Sequence, residues 1–315
     1  MLQLDGLSSY EWQSLHAGLD RAVADAALTY MRRLHIQRVS GRYVAGTPER
    51  WGEELDELRL RREPDYDMPG VPLVYALRYM VRRVISISGA LSAVSGGRYP
   101  TTVLDVGSGT GASAVAIDLM NMPGHISLLG VEPNKEMIAF AESFRPFRRV
   151  SARYLTGSFA DLADVDGGLK GFDLVVFSAA FPYGFDEWSS VADAIGNYPG
   201  SKDKLILAIE PEAKSGLLDE FQSALQKRGW PTGRFCCHDL SELMKQDLPL
   251  PEITSVLTRL GSPGSPSQSW WSPPDDRFLI ANPSPSWPSS LTLRLDSGGT
   301  LARALAQVGT AGARV

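Results

Sequence analysis

In the first third of the chain, apolar positions follow the period of a helix. Between residues 8 and 63 they recur at spacings of three or four, which places them on one helix face. The sequence Thr47-Pro48-Glu49 is a helix start signal, so it divides this stretch into two predicted helices. A third helix is predicted at about residues 73–94, where Ser95-Gly96-Gly97 ends it. The pattern therefore predicts a helical region ahead of the rest of the fold.

From residue 100 onward the pattern changes to short β-branched runs that alternate with helical segments. This alternation is typical of a parallel sheet wrapped by helices. Strands are predicted at residues 101–106, 126–131, 151–156, 172–178, 203–209, 233–237 and 276–281, and helices near 111–121, 134–144, 186–196 and 213–228. The predicted fold class is α/β: a doubly wound, seven-stranded, mostly parallel sheet with an N-terminal helical cap.

These patterns divide the chain into three expected regions. Residues 1–98 form the helical cap, residues 99–283 form the sheet domain, and residues 284–315 form a C-terminal extension. Between the sixth and seventh strands, residues 249–275 are rich in Pro, Gly and Ser and include two tryptophans, Trp270 and Trp271. Such an insertion is predicted to be either a lid at the carboxyl edge of the sheet or a surface loop.

Composition excludes several classes of protein. A net charge of −5 and a pI of about 5.5 give no general attraction for a phosphate backbone, which disfavours a nucleic-acid substrate. The only cysteines, Cys236 and Cys237, are adjacent, which excludes a disulfide framework and a four-cysteine metal site within the chain. Neither a secretory signal nor a run of about 20 apolar residues is found. We therefore expect a cytoplasmic protein that has no membrane span, and we expect no metal site.

The first predicted strand leads directly into a glycine-rich loop. Thr102 to Val106 run into Gly107-Ser108-Gly109-Thr110-Gly111, and a predicted helix follows. Glycines let the backbone turn tightly and let a ligand approach it, and the free amides at the helix start suit a polar ligand. The second strand ends in Glu132-Pro133-Asn134, where a carboxylate can accept hydrogen bonds from both ribose hydroxyls. Loop and acid together predict a nucleoside site.

The same loop fits two kinds of nucleotide cofactor. Gly107, Gly109 and Ala112 match a relaxed dinucleotide fingerprint, which keeps a nicotinamide-dependent oxidoreductase as an alternative. Asp105 within the strand and the additional Gly111 favour a methyl donor instead. Val103 to Gly111 resembles the first motif of the class I S-adenosylmethionine-dependent methyltransferases, and Glu132 matches their ribose-binding acid. The resemblance implies methyltransferase activity, with S-adenosylmethionine as the cofactor.

The resemblance also implies where the rest of the donor is bound. In this family the loop after the third strand frames the adenine, often with an acid after a glycine; here Ser158 follows Gly157, so Ser158, Phe159 or Asp161 would take that part. The end of the fourth strand, Ser178, would touch the methionine portion. The expected cofactor-binding residues are Asp105, Gly107, Ser108, Gly109, Gly111, Glu132, Pro133, Ser158, Phe159 and Ser178.

The acceptor side is less defined by the sequence. Methyl transfer requires alignment of the nucleophile, and a base helps when the acceptor carries an O–H or N–H group. Three residues predicted near the carboxyl edge of the sheet are candidates for catalysis: His238, which follows the sixth strand, Glu210, which ends the fifth, and Tyr183, which follows the fourth. The helix with Tyr75, Tyr79 and Arg82 runs into the first strand, so one end of it should lie near the donor.

A second resemblance concerns the end of the cap. Residues 66–77 (YDMPGVPLVYAL), followed by Val103 to Gly111, resemble the Rsm22-like methyltransferases associated with the small ribosomal subunit. Those proteins carry a cysteine cluster, whereas Cys236 and Cys237 stand alone here. The leading hypothesis is a methyltransferase of a small molecule or peptide in specialised metabolism. A ribosome-associated assembly factor or rRNA methyltransferase is the alternative.

Overall fold

The protein is described by a computed structural model. It describes residues 9–39, 46–94, 100–120, 124–144, 147–158, 161, 171–182, 186–196, 204–211, 214–235, 249–260 and 276–281. Several predictions lie outside these residues: those for Phe159, Tyr183, His238, the cysteine pair, the two tryptophans of the insertion and the extension at 284–315. Within the described part, no helix combines the length and the apolar character needed to cross a membrane.

Within the described residues between 9 and 94 the cap contains four α-helices, as the periodicity predicts in outline. They are α1 (Ser9–Val39), α2 (Pro48–Asp56), α3 (Val71–Tyr75) and α4 (Val81–Val94), with a 3-10 turn at Glu57–Leu60 and a π-helical segment at Ala76–Met80. The start signal before α2 is confirmed: the Thr47 side chain accepts a hydrogen bond from the Arg50 amide at 3.5 Å. The predicted third helix is continuous from α3 to α4 except for the π-helical segment.

The sheet has seven strands in the order β3-β2-β1-β4-β5-β7-β6. The strands are β1 (Thr102–Val106), β2 (Ile126–Glu132), β3 (Val150–Thr156), β4 (Leu174–Ser178), β5 (Leu205–Pro211), β6 (Thr232–Phe235) and β7 (Asp276–Ala281). β7 pairs antiparallel with both β5 and β6, and the other pairings are parallel. The intervening helices are α5 (Ala112–Leu119), α6 (Lys135–Ala141), α7 (Trp188–Gly196) and α8 (Ser215–Gln226). The predicted fold class is confirmed.

Two hydrophobic clusters cover the two faces of the sheet. Successive residues of β1 alternate between them: Val103 belongs to the cluster that contains the cap, and Leu104 belongs to the cluster that contains α7 and α8. Strands buried on both faces read as continuous apolar runs, which is why β1 and β4 lack polar alternation. The cap therefore shares one core with the sheet, and its last helix, α4, is positioned next to β1.

The first part of the insertion at 249–275 differs from the expected loop. Residues Pro251–Arg259 form a helix, α9, whereas the prediction for residues 261–275 lies outside the described residues. Ile253 is fully buried, and the amides of Glu252 and Ile253 donate to the carboxylate of Asp20 in α1 at 3.0 and 2.9 Å. A carboxylate at a helix start satisfies free amides and suits the helix dipole. α9 is consequently part of the cap layer.

Candidate functional site

The glycine loop follows β1 in a conformation that favours glycine. Gly107, Gly109 and Gly111 have φ values of 66°, 52° and 84°. A Cβ on Gly107 would lie 2.7 Å from the Cβ of Ala180, so a side chain is excluded by space as well as by the backbone. The amides of Gly107 and Ser108 donate to the carbonyl of Val131 at 2.8 and 3.2 Å. These bonds hold the loop against the end of β2.

Glu132, at the end of β2, fixes the other side of the loop. Its Oε2 accepts from the Gly109 amide at 2.8 Å, and its Oε1 accepts from the amide and the side chain of Asn134 at 3.0 and 2.6 Å. Burial raises the pKa of Glu132, and the bonds from Asn134 and Gly109 oppose that rise. Each carboxylate oxygen has two lone pairs, so Oε1 is fully used by Asn134 and one acceptor position remains for a ligand on Oε2.

Asp105 lies within β1, two residues ahead of the loop. Its side chain is 1% exposed, and burial raises its pKa to about 7, against a hydrogen bond from Ser113. Among the described residues, Asp105 Oδ2 has no hydrogen-bond partner, nor do the hydroxyls of Ser108 and Ser178. A buried polar atom without a partner costs about 1–3 kcal/mol. These atoms therefore favour a polar ligand beside them.

A cavity of about 590 Å³ lies at the carboxyl ends of β1, β2, β4 and β5. This is a volume typical of small-molecule and cofactor sites. The three residues with unpartnered polar atoms line it, together with Glu132 and the loop. From the cap, its walls include Tyr66, Tyr75, Tyr79, Arg82 and Arg83. The cap therefore closes the site from above the sheet edge.

The cap side of the cavity carries a cluster of three tyrosines. The ring of Tyr75 lies 5.9 Å from that of Tyr66 at 86° and 5.2 Å from that of Tyr79. These separations are those of favourable aromatic pairs. Burial is the main cause of the raised pKa of Tyr75, which keeps the phenol neutral. The cluster presents flat, uncharged surfaces to the cavity.

Buried ion pairs connect this part of the cap to β7 of the sheet. Arg82 and Arg83 form ion pairs with Asp276 of β7 at 3.2 and 3.6 Å, and the Ser86 hydroxyl donates to the same carboxylate at 2.6 Å. The Asp276 side chain is 0% exposed, and the two guanidinium groups lower its pKa in spite of that burial. α4 is thereby held to the edge of the sheet at the level of the cavity.

Glu210 stands at the end of β5 and lines the cavity. The residue is fully buried, and its Oε1 accepts from the Phe181 amide at 3.1 Å. Its Oε2 has no well-formed hydrogen bond among the described residues, although the Ala180 amide lies close enough to the carboxylate to favour its ionised form. Burial raises the pKa of Glu210 to about 7, while the nearby charges of Lys214 and Arg83 act in the opposite direction.

The segment after β4 turns sharply under the cavity. Ala179 has a φ of 51°, which is unusual for a residue with a side chain, and its amide donates to the carbonyl of Ile209 at 2.8 Å. Phe181 is fully buried, with its ring 4.4 Å from that of Trp188. Lys214 donates to the Phe181 carbonyl at 2.7 Å and to Glu63 of the cap at 3.2 Å. The turn thus places Ala180 against the glycine loop and Phe181 against Glu210.

The strand order and the place of the glycine loop identify the fold. In the sheet, the glycine loop joins the central strand β1 to α5, and the acid ends the neighbouring strand β2. The fold is the Rossmann-like methyltransferase fold. No protein-family model and no curated protein matches the chain.

Solved structures similar to the chain include three methyltransferases. The plantazolicin methyltransferase BamL, in complex with a triazolic desmethylPZN analog and SAH (S-adenosylhomocysteine), is 16% identical, covering 84% of this chain and 98% of that one, with a TM-score of 0.42. A putative methyltransferase of Haloferax volcanii, in complex with the Trm112 activator, is 16% identical, covering 70% and 98%, with a TM-score of 0.44. Human N-acetylserotonin methyltransferase, in complex with SAM, is 14% identical, covering 74% and 66%, with a TM-score of 0.40. These values describe a distant similarity.

Most of the residues predicted to bind the donor meet in this cavity of the methyltransferase fold. Asp105, Gly107, Ser108, Gly109, Glu132, Pro133, Ser158 and Ser178 line it, as does the catalytic candidate Glu210. Gly111 is not in the cavity wall: a Cβ there would lie 2.8 Å from the Tyr154 hydroxyl, so its part is to let the loop pack on β3. Phe159, Tyr183 and His238 lie outside the described residues.

The polar groups of the loop after β3 bond to one another and to the end of β2. Asp161 Oδ2 accepts from the Ser158 amide and hydroxyl at 2.6 and 2.8 Å, which lowers the pKa of Asp161. The Gly157 amide donates to the carbonyl of Glu132 at 3.1 Å. The acid expected directly after the glycine is thus present three residues later, bonded to Ser158. The adenine contact of Ser158 stays a prediction.

The residues of the cavity wall that sequence reasoning missed include Tyr66, Arg83 and Lys214. Tyr66 lies in the stretch 66–77, which was singled out in the sequence without being assigned to the site. Arg83 follows Arg82 in the helix of which one end was expected to lie near the donor. Arg78, about one turn earlier, pairs with Asp56. Nothing in the local sequence around Lys214 indicates its place beside the cavity.

Proposed function

We propose that this protein is an S-adenosylmethionine-dependent methyltransferase. The observation that carries the proposal is the junction of the glycine loop, Glu132 and three unpartnered buried polar groups in one cavity at the carboxyl edge of the sheet. The residues fit the cofactor: the glycine loop carries no side chain at Gly107 that would keep a ligand from its backbone, and the unpartnered atoms include a carboxyl oxygen and two hydroxyls. Ligands of open α/β sheets bind at this edge.

Each group of residues has a part in holding the donor. Glu132 would accept a hydrogen bond from the ribose, and Ser158 would lie at the adenine. Asp105, Ser108 and Ser178 would hold the methionine portion, where Asp105 would accept a bond from the ammonium group. When bound, S-adenosylmethionine supplies a methyl group activated by its sulfonium. The cap would shield one side of the cavity from water, and the turn at Ala179 would give the acceptor a close approach.

The acceptor is proposed to be a small molecule or a peptide side chain. Cap residues between Leu58 and Arg83 form one wall of the cavity, and the arginines nearest to it are committed to Asp276. We propose the cap, residues 1–98, as the substrate region. A negative net charge further disfavours a phosphate backbone as substrate. A place in specialised metabolism stays a prediction.

Calorimetric titration with S-adenosylmethionine and S-adenosylhomocysteine tests the proposal. We expect saturable binding of both at a single site. The absence of binding at millimolar ligand would overturn the proposal, and a fluorescence change with reduced nicotinamide would favour the oxidoreductase instead. Co-sedimentation with small ribosomal subunits that survives high salt would favour the Rsm22-like alternative for the acceptor.

A further inference from the structure

Two carboxylates in the cavity wall have an oxygen without a described hydrogen-bond partner, and they lie on different strands. Asp105 is on β1 beside the glycine loop, whereas Glu210 is on β5. β4 lies between these strands, and two strand spacings amount to about 10 Å. The proposed donor site accounts for Asp105. It leaves Glu210, on the side away from β2, without an assigned task.

The surroundings of Glu210 hold its carboxylate in a fixed orientation. Oε1 is fixed by the Phe181 amide at 3.1 Å, and the Phe181 carbonyl is itself bound to Lys214 at 2.7 Å. Oε2 lacks a well-formed hydrogen bond, although desolvation makes an unsatisfied carboxylate oxygen costly. A group that donates a hydrogen bond to Oε2 would remove this cost. A ligand in the cavity can supply such a donor.

The Glu210 carboxylate lies near enough to the tyrosine cluster to influence the pKa of Tyr75. Glu210 contributes to the raised pKa of Tyr75 and to that of Arg83, which also bonds to Tyr75. Tyr75 in turn packs against the rings of Tyr66 and Tyr79, and all three tyrosines line the cavity. Aromatic faces beside an acceptor of hydrogen bonds suit a flat ring that carries an O–H or N–H group.

We infer that Glu210 takes the proton from an O–H or N–H group of an aromatic acceptor that packs on the cluster of Tyr66, Tyr75 and Tyr79. This inference rests on the proposed methyltransferase function. The O–H or N–H bond of the acceptor breaks and its proton passes to Oε2. The electron pair released on the acceptor forms the bond to the methyl carbon, while the electrons of the carbon–sulfur bond return to sulfur. Glu210 later returns the proton to water.

The test uses 4-nitrophenol as the probe, in the presence of S-adenosylhomocysteine and without any methyl donor. At about pH 8 the free probe and Glu210 are both largely ionised, so a complex that shares a proton between them must take about one proton from the buffer. Calorimetry in two buffers of different ionisation enthalpy measures this uptake. We expect about one proton per site for the wild type and almost none for Glu210→Gln.

Glu220→Gln is the matched control, because Glu220 lies exposed on α8 outside the cavity wall. It should behave as the wild type. Equal proton uptake in the wild type and Glu210→Gln, or no binding of 4-nitrophenol to the wild type, would overturn the inference. If S-adenosylhomocysteine binds normally in those cases, the methyltransferase proposal stands; if it does not bind, both fail.

A second measurement keeps the inference testable if Glu210→Gln does not fold. The affinity of the wild type for 4-nitrophenol should fall about tenfold for each pH unit above about pH 8, because the complex needs a proton that the solvent no longer supplies. An affinity that stays constant over this range would contradict the role of Glu210.

Discussion

The two halves of the cavity are built in different ways. The proposed donor half comes mainly from two short stretches, Asp105 to Ser113 and Glu132 to Asn134, that adjacent strands bring together, with Ser158 and Ser178 added from the segments beside them. The acceptor half joins residues that are far apart in the chain: Glu63 and Lys214 are separated by 151 positions, and Arg82 and Asp276 by 194. One half depends on local backbone geometry, and the other depends on tertiary charge pairs.

This difference determines what each half can tolerate. The donor loop requires positive φ angles and the absence of a Cβ, so single side-chain additions should damage binding of the donor. The acceptor half requires that the cap stay attached to β7 and β5, so the loss of one buried charge should damage the stability of the whole protein. Substitutions in the donor half should therefore lower the affinity for the donor, whereas substitutions in the acceptor half should lower the free energy of unfolding.

The largest expected effect is that of Asp276→Asn. This substitution leaves Arg82 and Arg83 without the carboxylate that now neutralises them, and their side chains are only 16% and 13% exposed. Removal of one partner from a buried ion pair costs about 3–5 kcal/mol. We expect the free energy of unfolding in urea to fall by that amount.

Asp193→Asn is the control for this experiment. Asp193 pairs with Arg228 at 2.6 Å, but its side chain is 52% exposed. Exposed ion pairs contribute about 0–1 kcal/mol because water screens them. A similar loss of stability in the two variants would show that burial of the Asp276 cluster does not attach the cap.

The same contrast explains how much could be predicted from the sequence. Residues 103–132 were interpreted correctly because strand, glycine loop, helix and acid follow one another within a single unit of the chain. The seven strands were predicted because strands buried on both faces form apolar runs. Arg83 and Lys214 were missed because their place in the cavity depends on tertiary pairing with Asp276 and Glu63.

α9 was missed for a different reason. Its buried positions, Ile253, Val256 and Leu257, do follow helical spacing, but they occupy only nine residues next to a stretch rich in Pro, Gly and Ser. A helix this short is stable only through packing, here against α1 and Asp20. Composition over the whole insertion therefore hid the helix in its first part.

A second prediction concerns stability and pH. Burial raises the pKa of Glu210 from 4.5 to about 7 in the folded protein, so the folded state keeps a proton that the unfolded state has lost. This contribution is fully present below the unfolded pKa and is lost as the pH rises through about 7, a difference of about 3 kcal/mol. The groups that face Glu210 are Lys214, Arg83 and Tyr75.

Glu210→Gln should lack this fall in stability between about pH 5 and pH 8. Asp105, whose pKa is also raised to about 7, is present in both proteins, so the difference between their profiles of unfolding free energy belongs to Glu210. Glu220→Gln should follow the wild-type profile. If the unfolding free energies of the wild type and Glu210→Gln changed with pH in parallel, the Glu210 carboxyl group would not have the raised pKa that its burial predicts.

The smallest expected effect is in the donor half, with Gly107→Ala. The new Cβ must displace Ala180 from its position at 2.7 Å and hold a φ of 66°, which costs about 1–3 kcal/mol. We expect the affinity for S-adenosylhomocysteine to fall about thirtyfold, equivalent to about 2 kcal/mol. Calorimetric titration of the folded variant measures this change.

Gly124→Ala separates the two causes of that loss. Gly124 has a φ of 89°, so alanine there bears a comparable backbone cost, but nothing lies within 4 Å of the new Cβ. It should therefore lose stability and keep its affinity for S-adenosylhomocysteine. If Gly107→Ala also kept that affinity, the close approach of the loop to Ala180 would be a feature of packing alone, and the donor half would depend on Glu132 and the unpartnered polar groups.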